Sequence, residues 1–215
     1  MPLPDELSFV DGACVACGFG TAYEAVVRGQ VGGGDAVLVT GLGPVGLAAG
    51  LLAKALGAER VIGVNRGAER CSLAGSVGAV DDAICEEGQT DAIVEQVMDL
   101  THGRGVEVAV DCSGAASARE AALRSTRAEG RVVLVGEGGR LDLDVSEWLI
   151  HPQRRLIGSW VTSVPRMEDL LEHLVRWDLH PERTVTHRFP LAQAGAAYAT
   201  AAEGSGGKVA VVMEG

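Results

Sequence analysis

Within the stretch VLVTGLGPVG, at 37–46, Gly41, Gly43 and Gly46 stand at the spacing G-x-G-x-x-G. The chemistry that spacing suits is the cradling of a phosphate. Gly41 would make a tight turn and Gly43 would let a pyrophosphate approach the backbone. Gly46 would let a helix pack closely on a strand, and the N-terminus of that helix would stabilise the phosphate charge. Leu42, Pro44 and Val45 fill the rest of the loop and belong to the same candidate contact. A bare glycine pattern is weak, but this one follows a β-branched run and precedes the apolar stretch LAAGLLAKALG, at 47–57.

A second group lies in VIGVNR, at 61–66. A dinucleotide site of this kind usually ends its second strand, about 20 residues past the glycines, in an acid that holds the ribose hydroxyls of NAD. Asn65 stands there instead, followed by Arg66, with Arg70 one helical turn further on. An acid would repel the extra phosphate of NADP, whereas a planar guanidinium suits a phosphate. The expectation is therefore a preference for NADP over NAD. A third group, Cys14-x-x-Cys17, has no second pair to make a zinc knuckle. It reads as two small buried cysteines flanking a helix start.

The elements that must position these residues alternate in kind. The β-branched runs predict strands at 36–40, 61–64, 79–80, 106–111, 131–135 and 156–161, with helices between them at 45–56, 68–76, 90–100 and 116–126. In the third of these helices Ile93, Val94, Val97 and Leu100 share one face, and Thr90 is placed to cap it. This alternation implies right-handed crossovers and an α/β fold, a doubly wound parallel Rossmann sheet covered on both faces. After Val161 the pattern changes. An amphipathic helix starts near Ser163 and Pro165 and stops before Pro181, followed by a strand at 184–189, a helix at 192–203 and a strand at 208–213. This α+β tail does not extend the parallel sheet.

Composition sets limits on function. A chain of 215 residues buries a sizeable core, and its net charge of −11 argues against nucleic-acid or anionic-membrane surfaces as partners. The uncharged run at 36–53 carries glycines and Pro44 and is the glycine loop with its helix, not a membrane span. The N-terminal stretch has no basic segment followed by an apolar one, so the expected compartment is the cytoplasm, with the five scattered cysteines as free thiols. The five histidines, His102, His151, His173, His180 and His187, are dispersed and read as surface residues rather than ligands.

The runs CVACGFGTAYEAV (14–26), VLVTGLGPVGLAAGLLAKALGAERVIGV (37–64), GVEVAVDCSG (105–114), GRVVLVG (130–136) and GKVAVVM (207–213) together resemble the zinc-dependent medium-chain alcohol and polyol dehydrogenases. The resemblance implies that Cys17 corresponds to a ligand of the catalytic zinc, that Thr21 lies beside the nicotinamide, and that Lys208 reaches the pyrophosphate. Ser113 and Val135, in the third and fourth runs, fall at coenzyme-contacting positions. The Asn65–Arg66 pair looks like that of NADP-using members. The resemblance also implies three parts: 1–17 as remnant of a catalytic domain and linker, 18–161 as the dinucleotide-binding domain, and 162–215 as a segment packing back as part of the catalytic domain. Members carry an N-terminal barrel-like domain with the other zinc ligands, and no counterpart is found in this sequence. A catalytic zinc needs three protein ligands and an open position. Zinc is thus expected only if the missing ligands are supplied, for an alcohol or polyol substrate in a complete enzyme. Two readings follow: the coenzyme-binding part of such a dehydrogenase, whose chain alone is inactive, or a non-catalytic nucleotide-binding module. A homodimer, or a partner chain supplying the catalytic domain, is the expected assembly, with 154–161 as the pairing edge.

Overall fold

The computed structural model describes residues 1–86, 88–204 and 206–213. Helix α1 (Phe9–Cys14) passes through a π-helical turn at Val15–Phe19 into α2 (Gly20–Arg28). Ser8 and Asp11 form a reciprocal capping box at its start. This run is long and apolar enough to cross a membrane by length and composition, yet 61% of its apolar window is buried inside the fold. There follow β1 (Ala36–Thr40), α3 (Pro44–Ala55), β2 (Arg60–Asn65), α4 (Ala68–Ser76), β3 (Asp82–Cys85) and α5 (Thr90–Leu100). The second half continues with β4 (Val106–Asp111), α6 (Ala116–Ser125), β5 (Thr126–Leu134) and β6 (Arg155–Gly158).

The six strands form one parallel sheet in the order β3-β2-β1-β4-β5-β6. The order reverses between β1 and β4, where ligands of open α/β sheets bind beyond the carboxyl ends of the strands. Successive residues of β1 point to opposite faces. Val37 and Val39 join a core with α2, α3 and α4, while Leu38 joins a second core with α5 and α6. The expected doubly wound architecture is the one found, because strands buried on both faces need apolar residues on both.

Several boundaries differ from the sequence expectation. The third strand lies at Asp82–Cys85, not 79–80. Only Ile84 of it is buried, and its acidic approach serves neighbours: Asp81 binds Lys54 and the Val61 amide, and Asp82 binds Arg60. A strand so polar gives little periodic signal. Thr90 does not cap α5; Gln89 occupies the N-cap, and the Thr90 hydroxyl donates to the Ser117 carbonyl. β5 starts at Thr126, directly from α6, with an irregularity in register between Val106 and Val108 of β4. β6 ends at Gly158, and the chain beyond turns away through Val161 at φ 44°, a left-handed conformation uncommon for a β-branched residue.

The tail contains α7 (Val164–Trp177), β7 (Val185–Pro190), α8 (Ala194–Glu203) and β8 (Lys208–Val212). Ser163 caps α7 as its position suggests. β7 and β8 pair with each other in a separate two-stranded parallel sheet. α7 buries Leu170, Leu171 and Leu174 in the same core as α2 and α3. The cysteines depart from the expectation of free thiols: Cys71 and Cys85 are joined as a disulfide, and Cys14, Cys17 and Cys112 are free. Cys14 is buried, but Cys17 is exposed, so the expected buried pair is half right.

Candidate functional site

The glycine turn connects β1 to α3. Gly41 has φ +85°, and a Cβ there would fall 2.8 Å from the Ser113 side chain. A Cβ on Gly46 would run into the Gly41 carbonyl, so helix and turn touch where the motif predicts. Above Gly43 the situation is different: a Cβ there would meet only the Arg70 guanidinium, at 3.6 Å. The first turn of α3 has Pro44 at its start and no side-chain cap, which leaves the amides of the turn for an external anion.

An open pocket of about 280 Å³ adjoins this turn, lined by Gly41, Gly43, Asn65, Arg66, Arg70 and Glu86 among others. Asn65 is partly committed. Its side-chain oxygen accepts from the Leu42 amide at 3.2 Å and its nitrogen donates to the Gly67 carbonyl at 3.3 Å. Asn65 therefore fastens the glycine turn to the end of β2 as well as lining the pocket. Arg66 is exposed and makes no ion pair among the described residues. Arg70 is half-buried, and its Nε is buried without a hydrogen-bond partner among the described residues. A buried donor left unmade costs free energy, so a phosphate acceptor fits this corner. An acid is also present one strand over: Glu86, whose amide donates to the Asn65 carbonyl. Sequence reasoning missed it because it follows a weakly marked strand.

The second feature missed by sequence is the support beneath the loop after β4. Asp111 is fully buried and accepts from the Thr40 hydroxyl (2.8 Å), the Ser113 hydroxyl (2.7 Å), the Ser113 and Gly114 amides, and Nε of Arg119 at 3.1 Å. Arg119 continues to the Gly136 carbonyl after β5. One carboxylate thus ties the ends of β1 and β4 together, and through Arg119 the end of β5, and sets Ser113 against Gly41. The only hint in sequence was that an Asp and an Arg sit in otherwise apolar or small-residue runs. Cys112 also lines the pocket; burial, with help from Asp111, pushes its thiol well up, so it stays protonated at neutral pH.

The remaining expected site residues are less convergent. Thr21 is half-buried at the start of α2, and neighbouring Gly20 packs against Thr162. Near it, after β6, the hydroxyls of Ser159 and Thr162 are buried without partners among the described residues, beside the strained Val161. Two hydroxyls left without acceptors or donors there are a feature that no sequence pattern signalled. Val135 donates its amide to the Asp111 carbonyl and does not line the pocket beside the glycine turn. Lys208 opens β8 opposite Val185, outside that pocket, close enough to Cys14 for its charge to act on the thiol.

Cys17 stands alone. Among the described residues no three His, Cys, Asp or Glu side chains gather into a metal site. Of the histidines, His102, His151 and His187 are exposed. His173 stacks on Trp177 and contacts the Tyr23 hydroxyl at 3.4 Å. His180 binds buried Asp11 at 3.2 Å, which raises its pKa. None supplies a zinc ligand beside Cys17, so the described residues do not by themselves fit a three-ligand catalytic zinc.

Parallel order, glycine turn and switch-point pocket together define the coenzyme-binding unit of a Rossmann-type oxidoreductase. The zinc-binding dehydrogenase family profile matches residues 44–176, and the chain belongs to that family. It is 50% identical over 209 residues to the uncharacterized zinc-type alcohol dehydrogenase-like protein YphC of Escherichia coli (strain K12), and 33% identical over 215 residues to sorbitol dehydrogenase of Rattus norvegicus. Each match covers 97% of this chain and 58% of the relative. Among solved structures, alcohol dehydrogenase TADH from Thermus sp. ATN1 superposes with a TM-score of 0.85 at 28% identity, covering 99% of this chain and 60% of that one. The chain therefore spans little more than half the length of the relatives it matches.

Proposed function

We propose that the chain is the NAD(P)-binding part of a zinc-type alcohol or polyol dehydrogenase and that it takes NADP in preference to NAD. The reading rests on Arg70, whose buried Nε lacks an acceptor over Gly43 among the described residues, with Arg66 beside it and Asn65 standing where an acid would be. The glycine turn and the start of α3 would hold the pyrophosphate, and Arg66 and Arg70 the ribose phosphate. Ser113 and Val135 would flank the middle of the coenzyme and Thr21 its nicotinamide end, with Lys208 approaching from the tail. The nicotinamide supplies the carbon that takes hydride from an alcohol carbon. What the chain's own residues do is bind the coenzyme, orient it and shield one side of it from water. Glu86 works against an extra phosphate, but two guanidinium groups outnumber it.

The same reading divides the chain at 17/18 and 161/162, with 162–215 returning to a catalytic domain. Zinc would be retained only with ligands from outside this chain, as part of a longer protein or a partner. Self-association is expected along β6, an edge strand whose Leu156 and nearby Trp160 are exposed. Sedimentation at micromolar concentration should show a species larger than the monomer. A second reading, a nucleotide-binding module without catalysis, is favoured by the isolation of Cys17.

Fluorescence titration with NADPH and NADH tests the coenzyme reading without any substrate. Tighter NADPH binding is expected; equal affinities would leave Asn65 and Arg66 as an incidental loop. Zinc analysis separates the two functional readings. One equivalent of metal bound and lost with Cys17→Ser favours the dehydrogenase, and no metal under any assembly favours the module.

A further inference from the structure

The disulfide sits at the rim of the coenzyme pocket. Cys71 follows Arg70 in α4, and Cys85 ends β3 just before Glu86; Arg70 and Glu86 both line the pocket. Cys85 is also the register partner of Asn65, which fastens the glycine turn. The Cα atoms are 6.3 Å apart across a sequence separation of 14, inside the span a bridge accommodates. The two ends differ in access: Cys71 is 4% exposed, whereas Cys85 is open to solvent. Arg70 Nε has no hydrogen-bond partner among the described residues, and the bridge at the next residue ties its turn of α4 to β3.

We propose that Cys71 and Cys85 form a reversible disulfide whose oxidation state sets coenzyme affinity at the adenosine end of the pocket. The proposal rests on the coenzyme reading above. A wholly buried bridge would serve stability alone; one with an exposed cysteine beside a ligand pocket is open to exchange. The oxidant is a small-molecule disulfide such as oxidised glutathione. Cys85, having lost its proton to water, attacks one glutathione sulfur and expels the other as thiolate. Cys71 then gives up its proton, attacks the Cys85 sulfur of the mixed disulfide and expels the second glutathione thiolate. Two cysteine thiols are oxidised to one cystine, and one glutathione disulfide is reduced to two thiols. Of the other cysteines, Cys14 and Cys112 carry thiols that burial holds protonated and do not compete for this exchange.

In the oxidised chain α4 is pinned and Arg70 is presented to the ligand. Reduction frees the turn, and binding must then order it, so affinity falls. The full chain is equilibrated in glutathione buffers of graded ratio, the 71–85 bridge is quantified by peptide mass mapping, and NADPH is titrated in parallel. Reduction should weaken NADPH binding by about fivefold or more, the lower end of ordinary coupling between sites. Cys85→Ser, an exposed and conservative change, should bind as the reduced chain does in every buffer. No 71–85 bridge at any ratio, or a bridge that leaves NADPH affinity unchanged, overturns the proposal while leaving the coenzyme reading intact. No NADPH binding in either state overturns both.

Discussion

The two ends of the candidate site are built in different ways. At the glycine-turn end, one contiguous stretch from Gly41 to Arg70 carries the turn, the helix start, the fastening Asn65 and two cations. At the other end Thr21 and Cys17 come from the N-terminal helix, Ser159 and Thr162 from the loop after β6, and Lys208 from the tail. The first end draws its turn, helix start and cations from that one stretch, with Glu86 and Ser113 added from the ends of β3 and β4, while the second, among the described residues, has one exposed thiol where a metal needs three ligands. Phosphate binding can be encoded locally, because backbone amides and a helix N-terminus come with the turn. Metal-assisted chemistry cannot, because its ligands must converge from separate elements.

The largest expected effect tests that contrast directly. The 215-residue chain should saturate with NADPH yet reduce no NADP with simple alcohols or polyols, even with zinc added. Hydride transfer needs the alcohol ionised, and without that help the rate should lie about six orders of magnitude or more below an ordinary enzyme. A measurable rate that disappears in Cys17→Ser would break the comparison, since another residue would then be completing the metal site.

Next in size is the support beneath the loop after β4. Asp111→Asn would leave Arg119 buried against a neutral partner and disturb the donors it holds together. Removing one partner of a buried pair costs roughly 3–5 kcal/mol, read as a lower urea midpoint at unchanged m-value. A surface-sized effect would mean that Asp111 is not what joins the strand ends.

The coenzyme contrast is smaller. Arg66→Ala should remove most of the preference for NADPH over NADH, about 1.5–3 kcal/mol or one to two orders of magnitude in the ratio of dissociation constants. Glu86→Gln should move the ratio the other way, by less. A ratio unmoved by either change would detach both charges from the pocket.

The smallest effect concerns the helix that carries Cys17. Asp11 at its start accepts from His180, and that hydrogen bond, with the negative charges of Asp11 and Asp178, raises the histidine pKa; desolvation opposes this in part. Asp11 also accepts from the Ser8 hydroxyl and amide and from the Glu182 amide, and Glu182 is paired with Arg188. A raised pKa stabilises the fold below the ordinary histidine value near 6.5, and that contribution is lost as pH climbs through the folded value. His180→Ala should therefore lower the melting temperature more at pH 5.5 than at pH 8.5, modestly, since the ring is 42% exposed. NADPH affinity at the opposite end should not change.

Much of the fold was legible because its signals are local. β1, α4, α5 and β4 fall where the apolar pattern predicts, since strands buried on both faces and helices with one apolar face write that burial into residue order. The glycine turn was legible for the same reason: its three glycines stand at fixed spacing between a strand and a helix, and a Cβ on Gly46 would run into the Gly41 carbonyl of the same turn. β3 was misplaced because its acidic residues serve Lys54 and Arg60 rather than a core, and the Cys71–Cys85 pairing was missed because no pattern in the chain brings those two sulfurs together.

By itself, then, the sequence determined the alternating α/β architecture, the phosphate turn and the absence of an acid at position 65, all properties of neighbouring residues. Only the tertiary structure decided that Asp111 and Arg119 join three strand ends and that Glu86 enters the pocket beside Arg66. The same is true, among the described residues, of the missing acceptor of Arg70 and of the solitude of Cys17. Those facts depend on which distant groups share a small volume, and on whether each buried donor finds an acceptor there. Chain order constrains such meetings weakly, because closing a longer loop adds little entropy cost and many partners are within reach.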